Sequence, residues 1–344
     1  PVRLGDLITP ERMDQPEDAR ITSFSAASSP GSRGIVAVGR RPGECARDCL
    51  AVFRSVDGGA SWERLAARGI TGSTLAVAPA FPDDPRIVAL GPAGLSVSRD
   101  GGETFIPVAS QVAGTTVAMA PGFSGPDQRV LLGGDPAWTY DDRTGVVVPL
   151  AGVSLEGWRS NFAFDPNYAS SGLVLAGGAV QGPSRVEGAV FRCGERLLGD
   201  VCSESVVLPG LQAPPTVALL ATGGAPLALA SAPGATFVSW DGGRHFDAVP
   251  ALEGLTVHGA TTGTDGAVYA ATTGRHGTRG LVRSVDAGRS WQRIATGTPL
   301  DDGVAAIAST PDGHLLATAA QAPTGLLCST NGGRTWNARC GEDR

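Results

Sequence analysis

The sequence predicts an all-β fold, a seven-bladed β-propeller built from four-stranded antiparallel blades. The composition is rich in turn-forming residues, with 49 Gly and 25 Pro among 344 residues. Short apolar strand pairs recur seven times at intervals of about 40–55 residues, and an eight-residue turn pattern recurs five times. Four short strands per repeat at this spacing are typical of propeller blades.

Each repeat opens with two small apolar strands joined by a turn rich in Pro, Gly or Asp. These strand pairs occupy residues 21–39, 74–90, 116–134, 161–178, 216–231, 258–273 and 307–320. We place a single propeller domain at residues 21–344. Residues 1–20, rich in Asp, Glu and Pro, form a leader that either straps the outside of the ring or adds a strand to the last blade and latches it.

The eight-residue pattern begins with Ser and carries Asp or Asn at its third position, Gly at its fifth and usually an aromatic residue at its eighth. The Asp side chain accepts hydrogen bonds from backbone N–H groups ahead of it, and Gly supplies backbone with positive φ. The aromatic ring begins the next strand and packs over the turn. We assign a structural role to the third and eighth residues, which are Asp57 and Trp62, Asp100 and Phe105, Asp241 and Phe246, Asp286 and Trp291, and Asn331 and Trp336.

Two repeats lack a readable turn pattern. The third keeps an acidic turn within residues 138–145, and the fourth has Cys193 and Cys202 at the corresponding place. A disulfide can hold a hairpin that the turn pattern no longer holds. A six-bladed ring, with the fourth repeat as an insertion, is the alternative. Residues 161–166 favour seven blades because they match the first strands of the neighbouring repeats.

Charge and hydropathy exclude several classes of function. Hydrophobic residues make up 42% of the sequence, which is enough for a packed core. The net charge is −6, so no global positive field attracts nucleic acid or an anionic membrane. No apolar run reaches the roughly 18–20 residues of a membrane span. The chain begins without an initiator Met or a signal-peptide pattern, which predicts a trimmed or mature fragment that has lost a signal or an anchor.

The six cysteines fall into three local pairs, which predict disulfides. The pairs are Cys45 with Cys49, Cys193 with Cys202, and Cys328 with Cys340. Six cysteines permit 15 connectivities, and proximity favours the local ones. A zinc site is the alternative, but these spacings match no standard pattern of zinc ligands. Disulfides persist in oxidising compartments, so we expect a secreted, periplasmic or cell-surface protein.

The connections of a four-stranded antiparallel blade divide between the two faces of the ring. The repeated turns lie on one face, and we expect ligands on the other, where the second-to-third and blade-to-blade connections meet. Guanidinium groups suit carboxylates and phosphates. The charged residues on the face opposite the repeated turns form either an anion-recognising patch or scattered, solvated charges. The candidate binding residues on this face are Arg40, Arg41, Arg47, Arg185, Arg275, His276, Arg279, Trp158 and Arg159.

The eight-residue pattern resembles the Asp-box, also called the bacterial neuraminidase repeat (BNR). Five copies in register carry the resemblance, over residues from about 20 to 340. It implies a propeller of the sialidase-like superfamily. A sialidase of this kind needs three arginines that clamp the substrate carboxylate, a Tyr nucleophile with a nearby Glu, and an Asp acid/base.

The catalytic residues of a sialidase are not matched in this sequence. Family members carry Arg-Ile-Pro near the first blade, and that tripeptide is absent. Tyr140 falls in the degenerate turn, Tyr168 after a first-to-second connection and Tyr269 within a second strand. None of the three is placed as a nucleophile, and no pair of carboxylates is singled out for glycoside hydrolysis. We therefore assign no catalytic residue.

The chain also resembles the seven-bladed Asp-box propellers exemplified by the photosystem II stability and assembly factor family. The resemblance concerns repeat type and blade count, without motifs specific to that family. It implies an extracytoplasmic or lumenal propeller that binds a protein partner.

We therefore expect a non-catalytic binding or scaffold propeller that presents a loop face to a protein, as an accessory or assembly subunit of a membrane-associated complex. The alternative is a glycan-binding protein or a sialidase-like glycoside hydrolase. The four His residues show no paired spacing, so we expect no metal and no cofactor. We also expect no nucleic-acid partner, and contact with a membrane only through a missing anchor or through a partner.

Overall fold

The chain forms seven antiparallel sheets, which confirms the predicted seven-bladed propeller. The structure is a computed structural model that describes residues 19–40, 50–150, 161–182, 185–193, 202–223, 225–274, 280–320 and 325–341. The fourth repeat forms a complete sheet, so the six-bladed alternative is wrong. Residues 1–18 of the predicted leader lie outside the described residues, and the first strand begins at Arg20, one residue before the predicted domain boundary.

The first four blades have four strands each, hydrogen-bonded in chain order. Blades one and two contain β1–β8, which span Arg20–Ala26, Ile35–Arg40, Leu50–Ser55, Glu63–Leu65, Thr74–Val77, Ile87–Gly91, Gly94–Ser98 and Ile106–Ala109. Blades three and four contain β9–β16, which span Thr116–Met119, Arg129–Gly133, Trp138–Asp141, Val146–Pro149, Asn161–Phe164, Val174–Gln181, Val186–Cys193 and Cys202–Val207.

The last three blades contain the remaining strands. Blades five and six contain β17–β24, which span Thr216–Leu220, Leu227–Ala232, Ala235–Ser239, Asp247–Ala248, Leu255–Thr262, Val268–Gly274, Gly280–Ser284 and Gln292–Ile294. Blade seven contains β25–β27, which span Val304–Ser309, Leu315–Ala319 and Leu327–Ser329. The helices in the described residues are short, and none is long and apolar enough to cross a membrane. They are α1 (Tyr168–Ser171) and two 3₁₀ helices, Pro250–Leu252 and Pro299–Asp302.

Blade seven departs from the predicted four strands. In the described residues its fourth strand is reduced to one pair, in which Asn337 and Cys328 exchange backbone hydrogen bonds of 2.8 Å. The chain then leaves the sheet, and the N–H of Cys340 donates to the carbonyl of Gly59 in blade one at 3.1 Å. The last residues of blade seven therefore contact the first blade instead of extending their own sheet.

The hydrophobic core lies between neighbouring blades. Seven clusters of buried residues each join two adjacent sheets around the ring. Between blades one and two, for example, Val36 and Val38 pack with Leu75 and Val77. The second and third strands are covered on both sides, and every residue of β6 and β7 is buried. Small and β-branched side chains suit these strands because sheets pack closely against both faces.

The ring closes by packing of blade seven against blade one. The innermost strand of each blade contacts that of the next, and β25 contacts β1 in the same way. Ile35, Phe53 and Trp62 of blade one share a buried cluster with Leu316 and Cys328 of blade seven. In the described residues each sheet is built from one continuous stretch of chain, so no strand is exchanged between the first and last blades.

Two of the three predicted disulfides are confirmed. Cys193 and Cys202 are bonded at 2.01 Å and join β15 to β16 where the other blades have the repeated turn. Cys328 and Cys340 are bonded at 1.95 Å and hold the end of the chain to β27. The remaining pair, Cys45 and Cys49, lies outside the described residues.

Candidate functional site

Two of the nine predicted binding residues belong to the described residues. Arg40 ends β2 in blade one, and Arg185 lies just before β15 in blade four. Two blades separate them, so the structure does not bring them together, and the Nε of Arg185 lies 3.7 Å from the carboxylate of Glu187. The other seven predicted residues, which lie outside the described part, are Arg41, Arg47, Trp158, Arg159, Arg275, His276 and Arg279.

One face of the ring carries the first-to-second and third-to-fourth connections, and we call it the turn face. The repeated turns lie on it as predicted, between the third and fourth strands of their blades. In blade one, Ser55 Oγ donates to Asp57 Oδ1 and accepts from the N–H of Gly59, both at 2.8 Å. Asp57 Oδ1 and Oδ2 accept from the N–H and the hydroxyl of Ser61 at 2.9 and 2.6 Å. The predicted capping of the backbone by Asp is therefore present.

The same arrangement recurs in the other turns that carry Asp, and it fixes the charge of each carboxylate. Burial alone would raise the pKa of Asp100, but hydrogen bonds from Thr104 and Ser98 outweigh it and lower the pKa to about 2. Hydrogen bonds from Ser290 and Ser284 lower the pKa of Asp286 to about 2. These carboxylates are therefore ionised and engaged in their own turns.

The aromatic residues of the turns, which the sequence predicts to pack over their turns, also pack against the blade interfaces. Trp62, Phe105 and Trp336 belong to buried clusters, and Phe246 and Trp291 pack against such clusters. The indole N–H groups of Trp291 and Trp336 donate at 3.0 Å to carbonyls of their own turns.

The turn of blade seven differs from the others because its third residue is Asn331. Its Oδ1 accepts from the backbone N–H groups of Arg334 and Thr335 at 3.1 and 2.9 Å, so the amide orientation is fixed. Its Nδ2 donates to Thr335 Oγ1 at 2.7 Å. In the Asp turns of blades one, two and six, the hydroxyl at the seventh position donates to the carboxylate instead. The blade-seven turn is therefore neutral at this position, and the hydroxyl proton of Thr335 is not used by the turn.

The carbonyl of the fourth turn residue accepts a hydrogen bond from the preceding blade in all five repeated turns. The donors differ in chemistry, but the acceptor position is constant, so each turn is fixed to its neighbour. The donor–acceptor pairs are Arg54 to Gly101 at 2.9 Å, Arg192 to Gly242 at 2.9 Å, Trp240 to Ala287 at 2.8 Å, Tyr269 to Gly332 at 3.3 Å, and His314 to Gly58 at 3.4 Å. Sequence reasoning did not find these contacts.

A buried carboxylate joins blades two and three on the same face. The side chain of Asp142 is fully buried and accepts from Tyr140 at 2.6 Å, from Arg99 at 2.6 Å and from Arg86 at 3.1 Å. Burial alone would raise the pKa of Asp142, but these hydrogen bonds outweigh it and hold the pKa below its usual value. The acidic turn predicted here is present, since Asp141 accepts from the N–H of Thr144, while Asp142 serves the blade interface.

A cleft of about 150 Å³ lies on the turn face between blades six and seven. Arg283 Nη2 donates to Asp265 Oδ2 at 2.8 Å, and the single hydroxyl proton of Tyr269 is shared between this oxygen, at 3.2 Å, and the carbonyl of Gly332, at 3.3 Å. Arg283 Nε donates to the hydroxyl of Tyr269 at 3.2 Å. Burial and the charge of Asp265 raise the pKa of Tyr269, so this phenol stays neutral. The cleft is lined by Asp265, Tyr269, Arg283, Ile294, Asn331, Gly332 and Arg334.

Three consecutive blades carry Arg at the sixth position of their turns. Arg244, Arg289 and Arg334 stand in blades five, six and seven, and all three are exposed. Within the described part of the chain, none of them forms an ion pair with a carboxylate. Arg244 and Arg289 donate to carbonyls of their own turns at 3.1 and 3.2 Å. We call these three residues the arginine row.

The other two tyrosines are buried, and the hydroxyl of Tyr168 has no hydrogen-bond partner among the described residues. Burial raises the pKa of both Tyr140 and Tyr168, which favours the neutral phenol. His314 lies close to Cys328 and Cys340, but these two sulfurs are bonded to one another and are not free thiolates for a metal.

No protein-family model matches this chain, and no curated protein sequence matches it. Solved structures with a similar fold include the extracellular domain of a protein assigned to a hybrid two-component system of B. thetaiotaomicron, with a TM-score of 0.60 and 12% identity over 91% of this chain. PorZ, a bacterial surface component of the type-IX secretion system of Porphyromonas gingivalis, has a TM-score of 0.58 and 16% identity over 90%. YCF48 from Cyanidioschyzon merolae has a TM-score of 0.56 and 16% identity over 88%.

These similarities establish the fold. The chain spans 93% of the YCF48 chain, but 38% of the B. thetaiotaomicron chain and 48% of the PorZ chain. It is a seven-bladed propeller similar in architecture to YCF48 and to an extracellular propeller domain. At identities of 12–16%, the similarity concerns architecture and not activity.

Proposed function

We propose that this chain is an extracytoplasmic, non-catalytic binding or scaffold propeller that presents the turn face to a protein partner. The single observation that carries the proposal is the arginine row, Arg244, Arg289 and Arg334. Three exposed guanidinium groups repeat in register on adjacent blades and have no carboxylate partner among the described residues. Exposed guanidinium groups on a rigid frame are suited to recognise an acidic protein surface.

The row is unusual for this protein because the chain as a whole is acidic, with a net charge of −6. Several other arginines of the turn face pair with carboxylates within the fold. Arg86 and Arg99 bind Asp142, and Arg54 binds Glu63 at 2.5 Å. A local excess of positive charge on an acidic protein directs an acidic partner to one orientation.

The extracytoplasmic location rests on the disulfides Cys193–Cys202 and Cys328–Cys340, which persist in oxidising compartments. Two structural neighbours support a protein partner. By their names, one is an extracellular domain and the other is a surface component of a secretion system. The role of an accessory or assembly subunit in a membrane-associated complex belongs to the same proposal. The predicted patch on the opposite face stays a prediction, because most of its residues lie outside the described part of the chain.

The proposal is tested by partner capture with matched variants. The protein is cross-linked in the native envelope fraction, partners are identified by mass spectrometry, and each is then purified and titrated against the propeller. The test variant combines Arg244→Ala, Arg289→Ala and Arg334→Ala. The control is Arg143→Ala, which removes an exposed arginine from the turn of blade three.

We expect the purified partner to bind the wild type and the control, and to lose most of its affinity for the triple variant, with unchanged melting curves for all three proteins. Equal binding to the triple variant would show that the turn face is not the binding surface. Hydrolysis or saturable binding of a glycan, without a protein partner, would replace the proposal with the glycan-active alternative.

A further inference from the structure

We propose that the cleft between blades six and seven is a specific site for a single carboxylate group, contributed by an acidic segment of the protein partner. This proposal rests on the proposed function, because it names the chemical group that one part of the turn face would receive. It shares Arg334 with the arginine row, and its further evidence consists of the charges, donors and size of the cleft.

The charges that line the cleft leave one positive charge uncompensated. Asp265 and Arg283 form an ion pair at 2.8 Å, with Tyr269 donating to the same carboxylate. Arg334 lines the same cleft without an ion pair among the described residues. The lining thus combines two cations with one anion, and a monoanion neutralises the site. A dianion would be repelled by the carboxylate of Asp265, so a carboxylate suits the cleft better than a phosphate.

The neutral turn of blade seven contributes to this balance. An aspartate stands at the third position of the other four repeated turns, and Asn331 stands at this position beside the cleft. An aspartate here would add a negative charge to the lining and cancel the excess of Arg334. Asn331 keeps the same backbone hydrogen bonds through Oδ1 without that charge. The replacement therefore costs the turn little and makes the cleft net positive.

The same replacement frees a donor. Because Asn331 Nδ2 donates to Thr335 Oγ1, the hydroxyl proton of Thr335 is available to an acceptor outside the turn. Arg283 uses its Nε for Tyr269 and its Nη2 for Asp265, which leaves further N–H groups for another acceptor. A carboxylate with two oxygens can therefore be met by the guanidinium groups of Arg283 and Arg334, which both line the cleft.

The size of the cleft supports one group and not a large ligand. A volume of 150 Å³ corresponds to about five water molecules. That is enough for a carboxylate and the carbon atoms that carry it. The arginine row extends from this cleft over the turns of blades six and five, so further acidic residues of the same segment would meet Arg289 and Arg244. The two sources of the group are an Asp or Glu side chain and the carboxyl terminus of the partner.

The test uses two pairs of fluorescein-labelled peptides and measures binding by fluorescence anisotropy. The first pair contains four consecutive Glu or four consecutive Gln residues, with an amidated terminus. The second pair is a Gly-Ser peptide with a free or an amidated carboxyl terminus. We expect saturable binding of the Glu peptide, the free-terminus peptide or both, and no binding of the neutral counterparts. Binding of the neutral peptides, or no saturable binding of any peptide to the wild type, would overturn the proposal.

Two substitutions locate the binding in the cleft. Asn331→Asp restores the residue found in the other turns, and Arg334→Ala removes the unpaired cation. Each substitution should lower the affinity for the peptide about tenfold or more, as expected for loss of a charge-assisted hydrogen bond. The controls are Asn167→Asp, which adds the same charge to an exposed site of blade four, and Arg143→Ala in blade three. Equal weakening by a control, or full binding to Asn331→Asp, would refute the cleft site.

Inorganic phosphate as a competitor tests the chemical class. We expect acetate to displace the peptide at lower concentration than phosphate at the same ionic strength, and the reverse order would overturn the carboxylate assignment. The two proposals can fail separately. The purified partner could bind the Asn331→Asp variant as tightly as the wild type and fail to bind the triple arginine variant. That result would support the partner-binding function and refute the carboxylate site.

Discussion

The buried carboxylate of Asp142 provides the sharpest test of how this ring is held together. Its side chain is fully buried and accepts hydrogen bonds from Tyr140, Arg86 and Arg99. Asp142→Ala would leave the hydroxyl of Tyr140 buried without its acceptor, and Arg86 with Asp84 as its remaining carboxylate. Removal of one partner from a buried charged network typically costs about 3–5 kcal/mol.

This cost can be converted into a melting shift. With an unfolding entropy of about 2.1 cal/mol/K per residue, 344 residues give about 0.7 kcal/mol/K. A loss of about 4 kcal/mol therefore lowers the Tm by about 5 °C. The folded-state pKa of Asp142 is lowered, so its stabilisation is complete above the unfolded-state pKa and is lost as the pH falls through the folded-state value. The Tm difference between variant and wild type should thus shrink in acid.

The assay is calorimetry and urea unfolding of Asp142→Ala, with Asp141→Ala as the matched control. Asp141 is the adjacent residue, and its carboxylate accepts from the N–H of Thr144 in an exposed turn. Loss of that hydrogen bond should cost about 1 kcal/mol. If both variants lose the same stability, the buried network does not hold blades two and three together and the reasoning is wrong.

Three further predictions concern the turns. Asp100→Asn should flatten the dependence of the unfolding free energy on pH between about pH 4 and pH 2, measured by urea unfolding. The folded-state pKa of Asp100 is about 2, below the ordinary 3.8, so the stabilisation that this carboxylate provides is lost as the pH falls through that range. A pH dependence as steep as that of the wild type would contradict this. Gly102→Ala should cost about 1–3 kcal/mol more stability than Gly145→Ala. Both glycines have positive φ, but only at Gly102 would the new Cβ approach a side chain, Cδ1 of Leu65 at 2.6 Å. Equal Tm values of the two variants would refute the packing explanation. Replacing Cys193 and Cys202 by Ser should cost about 2–4 kcal/mol, measured against wild type by urea unfolding without reductant, and an unchanged midpoint would show that the hairpin holds itself.

The architecture was accessible from the sequence because its determinants are local. The turn at Asp57 is specified by residues that lie within eight positions of one another, and the structure forms the hydrogen bonds that this spacing predicts. Blade four was accessible in the same way, since its first strand resembles the others and Cys193 and Cys202 mark the missing turn. Repeats of this kind reveal their number because each one carries its own signal.

The contacts between blades were not accessible, because they join residues far apart in the chain. Arg54 and Gly101 are 47 positions apart, and neither residue type indicates the other. The one local hint is the Arg directly before the first Ser of the blade-one turn, Arg54. The cleft was missed for a related reason. Asn331 is visible in the sequence as a variant of Asp, but its effect on charge appears only when Arg283 of the preceding blade lies beside it.

Among the residues that the structure describes, no strand is shared between blades one and seven, and this has a consequence for the order of the blades. Each described sheet is one continuous piece of chain, and the described interface of blade seven with blade one is made by side chains and by the backbone contact of Cys340 with Gly59. The starting point of the polypeptide is therefore not fixed by the architecture. A circular permutant opened at residues 110–115, with its former ends joined by a flexible linker, would keep all seven interfaces. The protein can thus be given new ends at the edge of a chosen blade, which allows a reporter or a second domain to be placed at that blade on the face opposite the turn face.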